Sequence, residues 1–149
     1  MIKAKTAFTI FFILTIIVFP YYILIINSDF LSSIIPGWNT SIIPIRIIAN
    51  LIKFIILSVV SFYYYKLSKN SITIEAKKFI IHLLLTFPAV LVSKFNVYQF
   101  VELYFHHHDI FLHQIQMVIF INIIINMLFF TGQILFGIYY YRCRKTILF

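Results

Sequence analysis

Acids are almost missing from this 149-residue chain: Asp29, Glu75, Glu102 and Asp109 are the four of them, and none lies inside a long apolar run. A pair of carboxylates working as acid and base within such a run is therefore excluded. Charged residues of both signs reach 11% against 62% apolar, where a soluble domain carries about 25% and about 45–50%. That shortage excludes an ordinary soluble domain. Glycine occurs three times, too few for a phosphate-cradling loop, and neither an HExxH nor a Ser-His-Asp order is present. The one cysteine, Cys143, leaves no internal disulfide and no CxxC metal knuckle; beside a basic cluster it is a candidate for acylation.

What is there is apolar length. At about 20 residues per crossing, the chain has room for several spans and no separate soluble domain, so 1–149 reads as a single integral membrane domain. Four spans are expected, at residues 6–26, 45–65, 79–98 and 117–141, making an all-α membrane protein of four transmembrane helices. The first follows Lys3 and Lys5 and is too long for a cleaved signal peptide, so it reads as an uncleaved anchor. Pro20 should kink it or mark a close helix contact, and Pro88 interrupts the third span. That third helix is expected to run on past Lys94, whose amine can snorkel outward.

Cations are strongly segregated along the chain. Lys3, Lys5, Lys66, Lys69, Lys77, Lys78, Arg142, Arg144 and Lys145 fall at one side of the expected spans, whereas Lys94 and Arg46 fall toward the other. Basic loops stay in the cytoplasm, so both termini are expected there, in a bacterial inner membrane or an equivalent bilayer. The net charge of +8 then belongs to topology, and nucleic acid is not an expected partner.

The second and fourth spans end alike, Phe62-Tyr63-Tyr64-Tyr65-Lys66 and Ile138-Tyr139-Tyr140-Tyr141-Arg142, with Asn50 and Asn126 at matching positions. The first and third share Phe19-Pro20 and Phe87-Pro88. Two related helical hairpins would give this pattern, although a biased composition can also produce it. An extra amphipathic outer segment, Gln99 to Gln116, would then be added length between spans 3 and 4.

On a helix of about 100° per residue, Gln99, Glu102, His106, Asp109, His113 and Gln116 form one polar stripe. Glu102, His106, Asp109 and His113 are the candidate metal ligands, because neighbours three or four apart can share a divalent or transition metal ion. All four span about 16 Å, so one ion takes two or three of them. The same spacing equally suits carboxylates pairing with histidines on a wet helical face. Bis-histidine haem is disfavoured, since His82 is the one histidine inside a span and the others lie on the opposite side.

Lys53 lies about 12 Å into its span, and an intramembrane lysine marks a site unless it only anchors its helix. Asn50, Asn122 and Asn126 could hold it, or an outer acid could. Asn122, Asn126, Gln133 and Gly137 share a face of the last span, a pattern typical of helix contacts within a bundle or with a partner subunit.

Three readings follow, in order. The first is a non-catalytic accessory or scaffold subunit of a larger membrane complex, which leans away from an enzyme and expects partner subunits. The second is a metal-binding membrane protein with the outer His/carboxylate site. The third is a small transporter or channel with Lys53 and Asn126 at its site.

Overall fold

The computed structural model describes residues 1–21, 45–70, 73–95, 97–104 and 111–147. These form five helices and one two-stranded bridge: β1 (Ile2–Lys3), α1 (Ala4–Val18), α2 (Ile45–Lys69), β2 (Thr73–Ile74), α3 (Ala76–Lys94), α4 (Val97–Tyr104) and α5 (Phe111–Ile147). Three of them, α2, α3 and α5, are long and apolar enough to cross a membrane. Their Ile- and Phe-rich sequences are mediocre helix formers in water. In hydrocarbon the choice is made differently, because only a helix satisfies every backbone group within its own segment.

Helix α1 is apolar but has 15 residues, about 22 Å against a hydrocarbon core of about 30 Å. It stops because Phe19 precedes Pro20 and takes an extended conformation, φ −49° and ψ 128°, as residues before proline do. Residues 22–44 lie outside the described part of the chain, so of the first expected span only 6–21 is described. Pro88 behaves differently. Helix α3 continues through it, with Ala89 and Val90 fully packed just beyond, so the expected interruption is absent. The expected continuation past Lys94 is also absent: Phe95 is extended, φ −92° and ψ 145°, and α4 starts separately. The Lys94 ammonium approaches the Phe19 carbonyl at 3.4 Å and lies 5.1 Å from the Tyr21 ring centre, tying the end of α3 to that of α1.

Of the polar segment 99–116, residues 105–110 lie outside the described residues, so its expected course as one amphipathic helix is described at its two ends alone. Gln99 lies on α4, Tyr104 closes that helix, and His113 and Gln116 belong to the first turns of α5. Helix α5 has 37 residues, about 55 Å, and so overruns any bilayer.

The helices pack as two hairpins, α1 on α2 and α3 on α5, with α1 also against α3 and α4 lying on α5. Small residues set the close approaches. Ala4 and Ala7 are buried on α1, and a Cβ at Gly132 of α5 would stand 3.0 Å from the Leu85 Cβ and 3.4 Å from the Thr86 hydroxyl of α3. At the other joint, α2 meets α5 through aromatic rings, Tyr63 on Tyr140 and Tyr64 on Phe136, both at 4.5 Å between centroids.

One end of the bundle is basic. β1 pairs antiparallel with β2, Ile2 opposite Ile74 and Lys3 opposite Thr73, which fastens the start of the chain to the α2–α3 connection. The Lys78 ammonium lies 5.1 Å from the centre of the Tyr139 ring, bringing the end of α5 to the same place. The first residues of α1, the last of α2, the first of α3 and the last of α5 therefore share one end, and the nine segregated cations go with them.

Candidate functional site

Two polar clusters lie inside the bundle. The inward stripe of α2 runs Lys53, Leu57, Ser61, Tyr64 and Leu67, all buried, at the three- and four-residue steps of one helix face. Lys53 thus stands on the core stripe and not on the lipid-facing one, which is why its side chain is only 8% exposed.

The outer cluster surrounds Lys53. Asn50 and Lys53 of α2, Ser93 of α3, Tyr98 of α4, and Asn122 and Asn126 of α5 line a single cleft of about 490 Å³. The Asn50 amide points at the Ser93 carbonyl at 3.5 Å, a long contact, and the Asn122 amide donates to the Val118 carbonyl of its own helix at 2.8 Å. The walls of the cleft come from α2, the end of α3, α4 and α5. It gathers Lys53, Asn50, Asn122 and Asn126 onto common walls. Such a cavity offers an ammonium and several carboxamide and hydroxyl groups, a set suited to holding a small polar or anionic group away from water.

Gln133 does not join them. It belongs to an inner cluster centred on His82, which the pattern of intramembrane residues did not single out. The Tyr64 hydroxyl lies 2.9 Å from His82 Nδ1, and Gln133 Oε1 lies 3.2 Å from His82 Nε2. Gln133 Nε2 donates to the Thr86 hydroxyl at 3.0 Å, and that hydroxyl donates to the His82 carbonyl at 2.8 Å. This closed chain fixes the tautomer: the Gln133 oxygen must accept, so His82 carries its proton on Nε2 and takes the Tyr64 proton at Nδ1. The ring is also sandwiched, stacked on Phe11 at 4.4 Å and 17° and on Phe136 at 4.8 Å and 13°. All four long helices meet at this imidazole. With both nitrogens hydrogen-bonded and 3% exposure, it ties the bundle together at one point. Thr15 and Ser61, 3.0 Å apart, bridge α1 and α2 nearby. Among the described residues no buried side-chain nitrogen or oxygen lacks a partner.

The outer His/carboxylate set is only partly within view. His106 and Asp109 lie outside the described residues, as does the side chain of Glu102, while His113 is exposed on the first turns of α5. Among the described residues no three His, Cys, Asp or Glu side chains stand close enough to share a metal ion.

A sequence hint of the inner cluster did exist: His82 and Thr86 are one turn apart in an apolar run, and Tyr64 and Gln133 are among the polar members of two others. What could not be read was their common depth. Comparison with family models, with curated proteins and with solved structures gives no match, so the two clusters are interpreted from their geometry.

Proposed function

We propose that the protein is a non-catalytic subunit of a larger membrane complex, docked through α5, crossing the bilayer four times with its basic end and both termini in the cytoplasm. The observation that carries the docking is the outward face of α5. Only 11% of its apolar window is buried within the chain. Ile123, Met127, Phe130 and Ile134 repeat at steps of four, three and four residues, with Met127 and Ile134 at 65% and 64% exposure, and Asn126 and Thr131 lie beside them in one shallow hollow. Lipid suits the apolar members of that seam. It does not suit a carboxamide, which in a bilayer drives helix association by finding a hydrogen-bonding partner. The occupant we assign is a transmembrane helix of another subunit with a polar group reaching Asn126, which borders both this seam and the Lys53 cleft. Purification from native membranes should return stoichiometric partners, and Asn126→Leu should lose them; recovery of a solitary monomer or homo-oligomer would end the proposal.

Support for four crossings comes from connectivity. Residues 2 and 3 are paired at the basic end, whereas α2 begins at the opposite end, and α1 runs between the two ends along α2. The 22 Å of α1 needs a few further residues or a thinned bilayer to complete the passage.

A second reading is favoured by the outer cleft. Convergence of Lys53, Asn50, Asn122 and Asn126 suits a small transporter or channel with its site at Lys53. Flux in proteoliposomes unchanged by Lys53→Met would remove that role.

A further inference from the structure

We propose that the crevice between α3 and α5 at the basic end binds one anionic phospholipid from the adjoining leaflet, its phosphate held by Lys78 and Arg142 and the start of an acyl chain lying over the central rings. The crevice has a volume of about 330 Å³. Its floor is aromatic and closed: Tyr64, Phe79, His82 and Phe136 are all buried. Its rim is aliphatic and open sideways to lipid, with Ile81, Leu135 and Ile138 exposed. No headgroup-sized polar cavity exists at that floor, since the His82 nitrogens are already bonded; the floor takes hydrocarbon.

Cations stand at the mouth alone. Lys78 is in the first turn of α3, Arg142 is one turn beyond Tyr139 near the end of α5, the Lys78 ammonium rests 5.1 Å from the Tyr139 ring centre, and all three line the crevice. Lys78 also donates to Glu75 at 2.7 Å, an exposed pair. An ammonium has three donors and a guanidinium five, so this contact leaves capacity for a phosphate. Leu135 to Arg142 extends about 10 Å along the helix, which puts the cations at headgroup level when the aliphatic rim sits in hydrocarbon. Basic pockets between membrane helices on the cation-rich side recognise anionic headgroups in this way. The inference needs only that α3 and α5 cross the membrane; it is independent of docking through α5 and of the outer cleft.

The test is native mass spectrometry of the intact protein released from detergent with phosphatidylglycerol or with phosphatidylcholine of the same acyl chains, and with inorganic phosphate as competitor. One phosphatidylglycerol should be retained per chain in preference to phosphatidylcholine. Affinity should fall roughly thirtyfold in the double variant Lys78→Gln, Arg142→Gln, at about fivefold per interfacial cation, and Leu135→Trp, which fills the crevice, should also weaken retention. The control Lys66→Gln, Lys69→Gln removes two charges from the same end outside the crevice and should keep the lipid. Equal retention of the two lipids, equal loss in the control, or displacement by millimolar inorganic phosphate alone would overturn the proposal.

Discussion

Tyr64→Phe would preserve the ring that stacks on Phe11 at 5.0 Å and remove only the hydroxyl that serves His82 Nδ1. A buried acceptor left without its donor costs about 1–3 kcal/mol. The variant should therefore lower the thermal midpoint of the protein in detergent without changing its helical content. Gln133→Leu leaves the His82 Nε2–H without its acceptor and the Thr86 hydroxyl oxygen without its donor, and should cost about as much or more. Because both changes break one closed chain, the pair should lose less than the sum of the singles. Lys53 gives the opposite expectation. An ammonium held at 8% exposure carries a desolvation cost that a methionine of similar length does not, so Lys53→Met should leave the thermal midpoint unchanged or raised. A clear fall would mean that the ammonium is a structural tie, whatever its role in transport.

Two glycines on α5 separate packing from intrinsic helix preference. At Gly132 an added Cβ meets the Leu85 Cβ at 3.0 Å, a side-chain atom whose place is set by the α3 backbone and which no rotamer change moves, so Gly132→Ala should force α3 and α5 apart and cost about 1–3 kcal/mol. At Gly137 a Cβ meets nothing within 4 Å. Gly137→Ala should be neutral or stabilise by up to about 1 kcal/mol through helix propensity, and melting of the two variants side by side measures the difference. The elements themselves were largely legible: apolar runs marked α2, α3 and α5, whereas spacing on α5 set Asn122 and Asn126 with Gln133, which lies in the other cluster. The two prolines were not legible in the same way. Phe19-Pro20 and Phe87-Pro88 are identical dipeptides, yet the first ends a helix and the second sits within one. Beyond Pro88 the helix is held by packing, with Ala89, Val90 and Ser93 inside the bundle. The matched tyrosines diverge for a related reason: Tyr64 faces inward to His82, whereas its counterpart Tyr140 is half-exposed beside Tyr63. The resemblance of the hairpins thus stops short of their packing. His82 was missed as a site because a lone histidine in an apolar run shows nothing of the three helices that complete it.

At the scale of the molecule, connectivity and charge bear on the same quantity, the number of crossings. The β1–β2 pair holds residue 3 at the basic end while residue 45 stands at the far end, which supports the four crossings proposed above, even though α1 is too short to cross as an upright helix. Reporters that distinguish the two sides should place the first residues, the 70–73 connection and the region after Lys145 together in the cytoplasm, and the 105–110 connection on the other side. The pairing can be tested independently of the reporters. Cysteines placed at Ile2 and Ile74, which face each other across the strand pair, should crosslink in membranes when Cys143 is replaced by Ser. Crosslinking together with a cytoplasmic first residue would fix four crossings; failure to crosslink, with the first residue on the side opposite the 70–73 connection, would reduce the count to three and remove the support that α1 gives to His82 through Phe11.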